Sequence, residues 1–203
     1  MHYLVLDLEM TGTEPGWHEI IQIGAVLYDS TWKELGRFLE NVYPENEESF
    51  SIPAQRVHDL SMEDLEDAPM VHEVLDQFEA WVKDTLHLRE GDREARNVLR
   101  SIVIGGQSVM YDLNFLRFAY REENREWLFS FNILDLHNLS YFLFEILKAN
   151  GQEVPRKRSL GAIAAYFGHE RAGETHNALE DSLLTGACLK EVMAYVDRLK
   201  LAP

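Results

Sequence analysis

The chain has 203 residues, enough for one domain with a full hydrophobic core, and its 46% apolar and 27% charged residues are ordinary for a globular protein. A formal net charge of −16 argues against the long-range attraction to phosphates that most nucleic-acid binders use. No run approaches the ~18 apolar residues of a membrane helix, and no basic segment followed by an apolar run marks a secretory leader. The single cysteine, Cys188, has no partner for an internal disulfide and lies in an apolar, helix-like stretch. These features favour a reducing cytoplasm.

The first element is "YLVLDLE", where alternation puts Tyr3, Val5, Asp7 and Glu9 on one face and Leu4, Leu6 and Leu8 on the other. After the turn-rich "TGTEPGWHE", Ile20 to Asp29 reads as a buried strand. "GRFLENVYP" reads as a third, ended by Pro44. Short links make these three an antiparallel meander. "ENEES" reads as a solvated loop, and Ser61 with Asp64 as a capping box. Val71, Val74, Leu75, Phe78, Trp81 and Val82 follow helical spacing. The charged stretch 88–100 reads as a surface excursion, and "SIVIGG" as a fourth strand. "DLNFLRFAYREE" is a helix. A fifth strand in "FSFNILDL" runs into a helix ending near Asn150-Gly151. Ser159 caps "LGAIAAYFG", and a long helix runs from Asn177 through Val196. Three strands followed by alternating helices and strands describe a single α/β domain, residues 1–203, with a mixed sheet.

Acids stand out in three islands. Asp7 and Glu9 are two apart on a strand, so both point to one face, roughly 7 Å apart at the backbone. Buried carboxylates are costly unless paired or bound to a cation. Asp112 follows the fourth strand at the start of a helix, in "GGQSVMYDLNFL", a position equally suited to capping. His176 and Asp181 bracket the start of the last helix in "THNALED". Hard divalent cations take oxygen ligands, and two-metal phosphodiester hydrolysis needs several carboxylates drawn from separate segments. A histidine near neutral pKa completes the set as a proton acceptor.

The order "DLE … YD … HNALED" resembles the three exonuclease motifs of the DEDDh exonucleases, the family of the polymerase III epsilon subunit, RNase T and oligoribonuclease. "SIPAQRVHDLSMEDLEDAP", "NILDLHNLSYF" and "SLGAIAAYFG" are similar to its other segments, so the likeness covers nearly the whole chain. It implies an RNase H-like fold, a five-stranded mixed sheet whose first three strands are antiparallel, flanked by helices. It also implies a metal-dependent 3′–5′ exonuclease on single-stranded DNA or RNA, releasing nucleoside 5′-monophosphates with two Mg²⁺ or Mn²⁺ ions. Asp7, Glu9, Asp112 and Asp181 would be the metal ligands and His176 the general base. Met10, Thr11 and Gly12 would form the turn under the terminal nucleotide, with Tyr111 beside it. Gln107, Ser108 and Tyr111 stand where the family usually carries His, Asn and Phe, which leaves the choice of sugar open.

Met10, Trp17, Tyr111 and Phe115 are aromatic or apolar neighbours, suited equally to stacking on bases or to the core. Arg156, Lys157 and Arg158 form the densest basic run, suited either to backbone phosphates or to a solvated loop. The competing reading is a non-catalytic exonuclease fold that binds nucleic acid or rides on a polymerase. The protein partner, a polymerase or a second copy of this chain, is open at this level.

Overall fold

In the computed structural model, residues 1–89, 91, 93–171, 177–196 and 198 are described. Five strands form one sheet in the order β3-β2-β1-β4-β5. Strand β1 (Tyr3–Met10) is central and pairs antiparallel with β2 (Ile20–Tyr28), which pairs antiparallel with β3 (Glu34–Asn41). On its other side β1 runs parallel to β4 (Val103–Gly106), and β4 parallel to β5 (Ile133–Asp135). This is the expected RNase H-like mixed sheet.

The alternation in β1 separates two cores. Leu4, Leu6 and Leu8 pack in one with Val74, Leu75, Phe78 and Val82 of α3 (Val71–Thr85) and Leu113 and Leu116 of α5 (Met110–Glu122). Tyr3 and Val5 pack in the other against α6 (Leu136–Ala149), α7 (Leu160–Phe167) and α8 (Ala178–Ala194). With helices on both faces, every Leu and Val of β1 is buried. Two short helices, α1 (Ile52–His58) and α2 (Met62–Leu65), connect β3 to α3, and Ser61 and Asp64 form the expected capping box on α2.

Five local readings change. Residues Arg93–Ser101 form a helix, α4, rather than an irregular excursion. It buries Leu99, while Arg96 and Arg100 reach Glu126 at 2.7 and 2.9 Å. One buried leucine among so many charges is too narrow a stripe for a periodicity argument. Consequently β4 begins at Val103, after Ser101 has closed the helix. "ENEES" contains a 3₁₀ turn at Glu47–Ser49 with Ser49 buried. Helix α8 ends at Ala194, which leaves Val196 exposed. Ser159 occupies the N-cap of α7 but makes no capping bond with its side chain. Cys188 lies in the core, where burial pushes its thiol up to about 12. Among the described residues no helix is long and apolar enough to cross a membrane.

Candidate active site

Asp7 and Glu9 end the face of β1 that carries Tyr3 and Val5. The β1–β2 register slips between Glu9 and Met10, a bulge that re-aims the chain just past the acids. Beyond the Val5–Gly105 pair, β1 and β4 part. The backbone N–H of Leu8 is therefore free to donate to Asp112 Oδ1, at 2.9 Å. Asp112 is the third residue of α5, so the β4–α5 connection delivers it to the end of β1.

Asp181 arrives from the other side. Gly24 of β2 lies opposite Asp7, and a Cβ there would come within 2.1 Å of the Ala178 carbonyl carbon. The first turn of α8 therefore rests directly on the β2 backbone. Gln22 fastens it: its side-chain carbonyl accepts from Ala178 N (2.9 Å) and its amide donates to Asn41 Oδ1 (2.8 Å). Ser182 donates to the Gly24 carbonyl at 3.0 Å. Asn177 caps the helix, accepting from the N–H groups of Leu179 and Glu180. One turn in, Asp181 is carried over Asp7 and Glu9, and oxygens of these three carboxylates lie within 4.8 Å of one another.

The electrostatics are those of crowded like charges. Burial, then Asp112, Glu9 and Asp181, hold the Asp7 carboxyl well above the usual range. Burial, then Asp181 and Asp112, push Glu9 up to about 7. Burial likewise raises Asp112 to about 7, against the lowering effect of the Leu8 N–H. Arg171 works the other way on Asp7 and Glu9, and its Nη2 lies 2.7 Å from Asp181 Oδ1. An all-oxygen donor set with this much uncompensated negative charge fits a hard divalent cation.

Asp7, Leu8, Glu9, Met10, Asp112 and Asp181 line one side of a cleft of about 360 Å³; Gln107, Ser108, Tyr111, Ser159, Leu160 and Arg171 complete it. Met10 and Tyr111 thus stand beside the acids, and Tyr111 is 67% exposed. Thr11 is fully buried; its hydroxyl pairs with Ser49 and accepts from Glu19 N, both at 2.9 Å. Gly12 has a packing reason to lack a side chain, because a Cβ would sit 2.0 Å from the His18 ring. Phe115 is core, and with Trp17 it lines a separate hollow of about 280 Å³. Arg158 is folded back, its guanidinium 5.0 Å from the Tyr141 ring centre and 5.2 Å from that of Phe144. Arg156 and Lys157 are exposed. His176 lies outside the described residues.

Of the remaining cleft residues, Arg171 carries no signal in the sequence, and Gln107 and Ser108 stand out there only as departures from the family pattern. Arg171 belongs to no recognisable motif. Gln107 turns its amide to the Arg158 carbonyl at 2.9 Å, tying the β4–α5 turn to the start of α7. Ser108 takes a left-handed backbone, φ 56°, a conformation that asparagine tolerates better than serine.

The exonuclease family model RNase_T matches residues 4–189. DNA polymerase III subunit epsilon of Rickettsia conorii (strain Malish 7) is 25% identical over 192 residues, covering 94% of this chain and 73% of that protein. The protein of the same description from Rickettsia felis is 25% identical over 183 residues, covering 89% and 69%. Among solved structures, the nuclease domain of 3′hExo, a DEDDh family member bound to rAMP, has a TM-score of 0.73 at 17% identity, covering 100% of this chain and 96% of that one. The zinc-bound complex of E. coli ExoI with single-stranded DNA has a TM-score of 0.79 at 17% identity, over 97% of this chain and 41% of that chain. At such identities the structural likeness speaks for the fold, while the family model spans nearly every element from β1 to α8. The chain belongs to the RNase T exonuclease family.

Proposed function

We propose that residues 1–203 form one exonuclease domain that hydrolyses single-stranded nucleic acid from its 3′ end and releases nucleoside 5′-monophosphates. The observation that carries this reading is the convergence of Asp7, Glu9 and Asp181, with Asp112 beside them, in an exonuclease-family fold. Those four carboxylates would hold two Mg²⁺ or Mn²⁺ ions. When bound, such ions polarise the scissile phosphate and lower the pKa of the attacking water. Asp112 contributes with one oxygen committed to Leu8 N, so its other oxygen is the one available to a cation. His176 takes the proton of the attacking water as general base. Met10 and Tyr111 cradle the terminal nucleotide, while Thr11 and Gly12 support it from below through their packing on Ser49 and His18.

A cytoplasmic location is part of this reading. The description of both relatives as polymerase III subunits favours a polymerase partner. It also gives the non-catalytic alternative its one support.

The test uses 5′-labelled single-stranded DNA and RNA oligomers with Mg²⁺, Mn²⁺ or EDTA, beside His176→Ala and Asp181→Ala. The expected result is a stepwise ladder shortening from the 3′ end, absent in EDTA and in both variants. Cleavage that persists in EDTA, or that Asp181→Ala leaves intact, refutes the proposal. Binding without any cleavage under all metals favours the non-catalytic module.

A further inference from the structure

Arg171 is the only cation that lines the cleft among its described residues. Its side chain is 18% exposed and its Nη2 is 2.7 Å from Asp181 Oδ1. Among the described residues it makes no other ion pair or hydrogen bond. A guanidinium carries five N–H donors in a planar fork. One donor faces Asp181, and no other described residue takes the rest, on the side where Arg171 lines the cleft.

Charge arithmetic gives those donors a task. Asp7, Glu9, Asp112 and Asp181 supply four negative charges when ionised, which two divalent ions balance. Arg171 then leaves the loaded centre with one positive charge, matching the one negative charge of a phosphodiester. Nothing else described in the cleft lining supplies that charge: Arg158 is not part of it and is engaged by Glu145 and two aromatic rings. In a protein of net charge −16 a phosphate would otherwise meet a neutral centre on an acidic body.

We propose that Arg171 is a substrate-positioning residue, one edge of its guanidinium holding Asp181 and the other taking a non-bridging oxygen of the scissile phosphate. Arginine suits this because its fork serves two planar oxyanions at once, which a lysine ammonium does not. The inference rests on the metal-centre reading of the four acids.

The experiment measures equilibrium binding by calorimetry for the wild type, Arg171→Gln and Arg171→Lys. The probes are Mn²⁺ alone, then adenosine 5′-monophosphate and adenosine in saturating Mn²⁺. Arg171→Gln is expected to weaken 5′-monophosphate binding by about tenfold or more. Its adenosine affinity should stay within about twofold, and its Mn²⁺ affinity should be unchanged or tighter, because a competing cation is gone. Arg171→Lys keeps the charge and loses the fork, so it should fall between, at about threefold or more. It also carries the test if the glutamine variant does not fold. Monophosphate affinity within twofold of wild type in the folded variants overturns the proposal. So does loss of Mn²⁺ affinity in parallel, which would make Arg171 only a prop for Asp181. If the wild type binds no Mn²⁺, or Asp181→Asn binds it as well as the wild type, the metal-centre reading itself falls and takes this inference with it.

Discussion

Glu9 is 7% exposed, with Asp7 and Asp181 within reach of the same cation position. Its carboxyl is raised to about 7, so the fold favours its neutral form. The sign of the pH effect follows. Below the unfolded pKa, near 4.5, the carboxyl is protonated in both states and costs nothing. Between about pH 4.5 and about 7 the unfolded chain ionises while the folded carboxyl stays neutral, and stability is lost across that window. Glu9→Gln removes that loss. In EDTA the variant should be more stable than the wild type by about 1–3 kcal/mol at about pH 8, and the difference should vanish at about pH 4. Added Mn²⁺ should stabilise the wild type far more than the variant, since binding to the folded state raises stability by mass action. Thermal melts across pH, with and without metal, read both effects; an equal difference at pH 4 and pH 8 would rule out the ionisation account.

At the scale of elements, the site is an assembly of strand ends and helix starts. Helix α8 can lie on β2 only because residue 24 has no Cβ, and that contact sets the height of Asp181 above Asp7. Gly24→Ala places a methyl 2.1 Å from the helix backbone, which cannot yield as a side-chain tip could. The expected loss is about 2–3 kcal/mol or more, seen as a lower urea midpoint. Mn²⁺ affinity should fall with it as Asp181 is lifted away. A folded Gly24→Ala protein with wild-type Mn²⁺ affinity would show that α8 is not positioned by this contact. The glycine was visible in "IIQIGAVLY", but its partner lies more than 150 residues on, so nothing local marks it as a docking point. Helix α4 failed to register for the opposite reason: its charges dominate the pattern, and Leu99 alone earns it a place on the core.

For the whole molecule, a net charge of −16 sets how substrate is held. Proteins that neutralise many phosphates with Lys and Arg lose affinity steeply with salt, by about 10³–10⁵ between 50 and 200 mM. This chain has one cation in the cleft among its described residues, so its binding should use metal ions and stacking instead. At saturating Mg²⁺, KM for a single-stranded oligomer should rise by less than about tenfold over that salt range. A steep dependence would reveal a cationic track outside the cleft.

Much of this was written in the residues in order. The alternation of "YLVLDLE" determined both faces of β1, because side-chain direction in a strand has period two whatever surrounds it. The capping box at Ser61, the stop at Asn150-Gly151 and the helix start at Asn177 are equally local, set by backbone N–H and C=O groups that need partners within a turn. The acids of the three islands marked a candidate cation site by their chemistry, and three of them do converge. Tertiary structure decided the rest. It closed Asp7, Glu9 and Asp181 to within 4.8 Å and gave Asp112 the Leu8 N–H. It turned Thr11 and Gly12 into packing against Ser49 and His18, buried Phe115, and folded Arg158 onto Tyr141 and Phe144. And it brought Arg171, silent in the sequence, onto Asp181. Proximity between segments far apart in the chain is set by how whole elements pack, and no short-range pattern carries it.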